Sequence, residues 1–106
     1  MPKFLYQATY TGDGTKGLLK EGGSKRRAAV EEVMKGLGGK VEGFYYAFGE
    51  PDVFLIADLP DQASAAALSL AVNASGAVHL KTTVLMTPEE MDAAAKKTVQ
   101  YRAPGK

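Results

Sequence analysis

From Lys3 to Tyr10 the chain reads "KFLYQATY". Phe4, Tyr6, Ala8 and Tyr10 fall on one side and Leu5, Gln7 and Thr9 on the other, the period-two pattern of a strand. Residues 11–23 hold five glycines and predict a flexible connection. From Ser24, expected as an N-cap, Ala29, Val30, Val33, Met34 and Leu37 recur at helical spacing until Gly38 and Gly39 end the helix. "VEGFYYAF" (residues 41–48) and "VFLIADL" (residues 53–59) read as strands joined by the turn "GEPD", a β-hairpin. Asp61 suits the cap of a second helix, which runs through alanines and leucines to Ala74 and closes at Gly76. "AVHLKTTVLM" alternates again, with Val78, Leu80, Val84 and Met86 on one side and His79, Lys81, Thr83 and Leu85 on the other. Thr87, Pro88 and Glu90 then carry the signature of a capping box opening a last helix, expected to fade by about Val99.

This order of elements predicts the α+β class: a ferredoxin-like βαββαβ sandwich with an added C-terminal helix. Residues 1–97 are expected to form the single domain and residues 98–106 a flexible tail. Parity assigns Phe4, Tyr6, Val53, Leu55, Val78, Leu80 and Val84 to the helix-covered side of the sheet. Leu5, Phe54, Ile56 and Leu85, with the aromatic residues between 44 and 48, are left on the open side. So much contiguous apolar surface predicts a homodimer, two sheets packed face to face as a dimeric α+β barrel.

Bulk properties narrow the chemistry. A chain of 106 residues suits one domain, and 45% hydrophobic with 24% charged residues is an ordinary soluble balance. A net charge of +1 supplies no field to draw nucleic acid or an anionic membrane. Without cysteine there is no disulfide, thiol nucleophile or iron–sulfur ligation. "MPKFLYQATY" lacks the apolar core of a signal peptide, and no apolar run approaches about 18 residues. A cytoplasmic location is the expectation.

The segments "KGLGGKVEGFYYAFGEPDVFLIADLPD" and "SGAVHLKTTVLMTPEEM" resemble the GYD-domain family, over roughly residues 3 to 95. The resemblance implies a small protein of the dimeric α+β barrel class, most of whose relatives have no assigned activity. Gly49 and Asp52 match the signature for which the family is named, but Pro51 stands where the family prefers tyrosine. If that tyrosine touches a ligand in relatives, the contact is lost or changed here. If it shapes the turn, proline substitutes well, because it pre-sets the backbone angle, and this is the reading preferred.

Few residues offer chemistry. The stretch from Gly12 to Gly17 has the letters of a phosphate-binding loop in the wrong order, with Asp13 set to repel a phosphate. Lys25, Arg26 and Arg27 crowd the first turn of a helix, where the macrodipole disfavours cations by roughly 0.3–1 kcal/mol each. They read as a solvated cluster, with Arg27 reaching Glu31, or as a site for a carboxylate or phosphate. His79 has no second histidine or E-x-x-H spacing beside it, so no metal site is expected. It shares a face with Lys81, and with Gln7 and Thr9 if the first and fourth strands are neighbours. There it is either an interface residue or an acid–base group in a barrel pocket. Tyr45 and Tyr46 read as packing residues, Asp52 as a turn cap and Asp58 as a strand end.

Arg26, Arg27, Asp52, His79 and Lys81 are therefore the candidate ligand-binding residues, with His79 the one candidate for catalysis. The expected function is binding of a small anionic or aromatic molecule, or a regulatory role, without a cofactor. The alternative is a cofactor-independent enzyme, monooxygenase- or isomerase-like, on a small organic substrate. Nothing in the residue pattern decides whether the chain is an enzyme.

Overall fold

A computed structural model describes residues 1–106. Four strands, β1 (Lys3–Tyr10), β2 (Lys40–Tyr46), β3 (Val53–Asp58) and β4 (Val78–Leu85), form one antiparallel sheet in the order β2-β3-β1-β4. Four helices accompany them: α1 (Gly12–Glu21), α2 (Gly23–Gly36), α3 (Gln62–Ala74) and α4 (Pro88–Ala95). The α+β class holds. The alternation in β1 and β3 is obeyed: Phe4, Tyr6, Ala8, Val53, Leu55 and Ala57 are buried on one face of the sheet. With Met34, Leu59 and Ala65 they make up the core, against which Val30, Leu37 and Leu68 pack. Met34 is wholly buried, and truncating such a side chain to alanine costs about 2–5 kcal/mol.

The glycine-rich connection is a helix. Thr11 Oγ1 accepts the Gly14 N–H at 3.3 Å, and the Thr11 N–H and hydroxyl both donate to the Ala77 carbonyl, at 3.0 and 3.1 Å. These bonds seat α1 on the start of β4. Gly14 lies so close to Ala77 that a Cβ there would collide with its carbonyl oxygen. Glycine costs up to about 1 kcal/mol per helical position, yet here it permits the contact that anchors the helix. Ser24 is not the N-cap of α2. Gly22, at φ 85°, returns its N–H to Leu18 at the end of α1 and itself occupies the cap of α2, with no side-chain bond. One left-handed glycine thus serves both helix ends, so Ser24 falls inside the first turn.

The second strand begins one residue before the expected span and ends at Tyr46, with a bulge between Val41 and Gly43. A bulge reverses the parity of everything after it. Phe44 and Tyr46 therefore turn toward the helices, opposite Leu55 and Val53, with their rings edge-on at 5.3 Å. Of the aromatic residues assigned to the open face, Tyr45 is there, opposite Phe54 and 69% exposed, and Phe48 lies in the exposed hairpin loop.

At the other edge, Asn73 of α3 serves the free side of β4. Its Oδ1 accepts the Leu80 N–H at 2.8 Å and its Nδ2 donates to the Leu80 carbonyl at 3.3 Å. The amide replaces a neighbouring strand at one point of an edge that would otherwise be open to pairing. Thr87 and Glu90 make the expected capping box, but α4 stops at Ala95, short of Val99. Residues 88–102 are all exposed, and α4 makes no extended packing with the other elements. The radius of gyration is accordingly 16.9 Å, with a long axis of 56 Å, against about 13 Å for a compact chain of this length.

Candidate functional site

α2 lies over β2 and α3 over β4, so the middle of the sheet is left thinly covered between them. The gap is a cavity of about 170 Å³. α2 contributes Val30 and Val33 to its walls, α3 Leu68 and Val72, and the sheet Tyr6 and Leu80. Each side chain is there because of periodicity: positions one turn apart on each helix face the same way, as do alternate positions on a strand. Thirteen of the fourteen lining residues are hydrophobic; the exception is Arg26.

Arg26 stands at the N-terminal end of α2. Its nearest carboxylate is Glu21, at 3.8 Å, and both side chains are partly exposed. Tyr10, at the end of β1, lines the cavity beside it. The neighbouring Tyr46 hydroxyl donates to the Gly23 carbonyl at 3.0 Å. Burial and the adjacent Tyr10 hydroxyl push the Tyr46 phenol above its ordinary pKa, while Arg26 and Arg27 pull it the other way. Deeper in, Tyr6 donates to the Ala65 carbonyl at 3.1 Å, and burial raises its phenol to about 12. The arrangement is an apolar chamber with a cation and the Tyr10 phenol at one end.

The five candidate residues fall in three places. Arg26 reaches the cavity, whereas Arg27 lies 3.8 Å from Glu31 one turn along the helix, as an ion pair. His79 and Lys81 are on the opposite face of the sheet, exposed, paired in register with Thr9 and Gln7. The tip of the hairpin joins them there, so that Glu50 and Pro51 wall the same shallow hollow. Asp52 is apart from both groups. Its Oδ2 accepts the Tyr10 N–H at 2.9 Å, its N–H donates to Ala8, and its carbonyl accepts from Ala47. It thereby fastens the hairpin to β1. No three His, Asp or Glu side chains come together in a way that could hold a metal ion.

Sequence reasoning set Asp58 at a strand end, where β3 does end, but passed over its bond to Lys3 and the apolar walls of the cavity. The cavity's lining is scattered over six elements, and each residue taken alone reads as core. Asp58 accepts from Lys3 Nζ at 2.9 Å on the open face, and Glu42 takes the same ammonium at 2.6 Å. These two bonds, Glu42 first, raise the Lys3 pKa. The odd positions of β1, read with the even ones of β3, were the signal that Lys3 and Asp58 would meet.

No helix is long and apolar enough to cross a membrane. No curated protein and no solved structure matches the chain. The family model described as GYD domain does match it, over residues 4–95 of 106. That span takes in the sheet, the cavity, the Gly49–Asp52 turn and the helix opened by Thr87. The chain belongs to the GYD-domain family.

Proposed function

We propose that this protein is a cytoplasmic homodimer that binds a small organic ligand in the chamber beneath α2 and α3, as a binding or regulatory module. The observation that carries the reading is the chamber: about 170 Å³ of apolar space with one charged residue at its end. Ligand sites are typically concave and mostly apolar, with a few convergent polar groups to orient what they hold.

The homodimer rests on the other side of the sheet, whose strand order we read as ferredoxin-like. Leu5, Phe54, Ile56 and Leu85 lie there only half-buried, with Tyr45 beside them. Only 11 of 106 residues are buried, although 45% are hydrophobic. A second sheet packed on this face would cover those side chains and complete a dimeric α+β barrel. Catalysis without a cofactor is less well supported, since the only histidine is across the sheet from the chamber.

Native mass spectrometry of gently purified protein, repeated after denaturation, tests both parts. A dimer carrying a small adduct that is lost on denaturation supports them. A wild-type monomer at micromolar concentration overturns the assembly. For the site, Ala29→Phe puts a ring at the mouth of the chamber, and an adduct that persists unchanged in this variant overturns the assignment.

A further inference from the structure

The size and the charged end of the chamber together narrow what it holds; this step rests on reading the chamber as the ligand site. An engineered apolar cavity of about 150 Å³ takes up benzene. At about 170 Å³, this one has room for a single six-membered ring with a small substituent. The walls offer that ring aliphatic and aromatic contact and no carboxylate. At the end stands Arg26, whose 3.8 Å separation from Glu21 is well beyond the roughly 2.7–2.9 Å of a charge-assisted hydrogen bond. Like Arg27–Glu31 this is a loose, partly exposed ion pair without a direct hydrogen bond, so the guanidinium fork can exchange Glu21 for a planar anion held in bidentate fashion. With the Arg26 side chain 35% exposed, an anion there would keep part of its hydration. The pair would avoid the full desolvation penalty of a buried ion pair.

We infer that the chamber binds a monocyclic aromatic acid, its ring between α2, α3 and the sheet and its carboxylate on Arg26. Neither half of such a molecule suffices. A short aliphatic anion would leave the apolar walls uncovered, and a neutral ring would leave Arg26 with only its loose pairing to Glu21.

Calorimetric titration of the full chain at neutral pH and low salt tests this with four probes: benzoate, benzyl alcohol, acetate and hexanoate. Benzoate is expected to bind at least about tenfold more tightly than benzyl alcohol, the scale of one hydrogen bond to a charged group. Arg26→Gln should abolish that advantage and leave benzyl alcohol unchanged, Arg26→Lys should restore part of it, and circular dichroism checks that both variants fold. Ala29→Phe should lose both ring compounds. Equal affinity for benzoate and benzyl alcohol, benzoate binding indifferent to Arg26→Gln, or hexanoate binding more tightly than benzoate would each overturn the aromatic-acid assignment and leave the chamber as a ligand site. Failure of every probe to bind the wild type, together with an adduct in native spectra that survives Ala29→Phe, would overturn the chamber as well.

Discussion

Asp52 holds Tyr10: its carboxylate accepts the Tyr10 backbone N–H at 2.9 Å, so the β2–β3 turn is fastened to the last residue of β1. The strand register of the central pair ends just before this point, at Ala8 and Val53. The side chain therefore satisfies an amide that the ladder no longer serves. Asp52→Ala is expected to destabilise the protein by about 1–2 kcal/mol, since a half-buried N–H is left without a partner. Asp52→Asn keeps an acceptor oxygen and should recover at least half of that loss. Urea denaturation of the two variants distinguishes the outcomes; equal stability of Asp52→Ala and wild type would refute the fastening role.

Two glycines of α1 should respond to alanine in opposite directions. At Gly14 a Cβ would meet the Ala77 carbonyl and the Tyr10 ring, and overpacking of this kind costs about 1–3 kcal/mol. At Gly17 no atom lies within 4 Å, so alanine should stabilise the helix by about 0.5–1 kcal/mol. Tm is expected to fall for Gly14→Ala and rise by a few degrees, roughly 3–6 °C, for Gly17→Ala. A rise in both would mean that α1 is not seated on β4.

The buried Tyr6 phenol makes stability sensitive to alkali. Its folded pKa, about 12, is above the ordinary value of 10.0, so its contribution is fully present below pH 10 and is lost as pH climbs toward 12. Tyr6→Phe keeps the ring but loses the bond to Ala65, an expected decrease of about 1 kcal/mol at neutral pH. Between pH 10 and 12, however, the variant should lose stability less steeply than wild type. Parallel slopes would show that Tyr6 is not the group responsible.

The start of α4 should respond to acid. The Thr87 N–H bonded to the Glu90 carboxylate at 3.0 Å lowers the Glu90 pKa. The contribution of this bond is present above the unfolded pKa and lost as pH falls through the lower, folded one. Amide exchange at Thr87, taken relative to its intrinsic rate, is expected to accelerate as pH falls through the lowered Glu90 pKa, and Glu90→Gln should remove most of that pH dependence. A Thr87 amide with the same exchange profile in both proteins would refute the capping box as the cause.

Much of this fold is legible residue by residue. Alternation in "KFLYQATY" and "AVHLKTTVLM" gives both strands and the side each residue takes, because a strand's side chains change face at every step. Thr87, Pro88 and Glu90 announce α4 because a cap is a local hydrogen-bonding pattern within four residues. The glycine-rich segment misleads for the converse reason. Its intrinsic preference is against helix, and the contacts that overrule it, between Thr11 or Gly14 and Ala77, span more than sixty positions.

The site was less legible. Composition and spacing marked Arg26 as a cation out of place at a helix start and suggested a pocket near it, but not that this would be an apolar chamber lined from α2, α3 and the sheet. They also grouped it with Arg27 as a candidate, although the alternative reading, Arg27 reaching Glu31, is the one the helix shows. His79 and Lys81 were rightly set on one face with Gln7 and Thr9, yet the arrival of Glu50 and Pro51 beside them depends on how the hairpin folds over.

By itself, then, the sequence determined the strands, the helices with sequence-local caps, the sidedness of β1, β3 and β4 and the family, since each depends on periods of two or 3.6 and on motifs a few residues long. The tertiary structure alone decided that residues 12–21 are helical, that a bulge turns Phe44 and Tyr46 inward, and that α2 and α3 stand apart over an apolar chamber with Arg26 at its end. Those features arise from contacts between residues distant in the chain, where packing energy outweighs local preference and leaves no periodic trace.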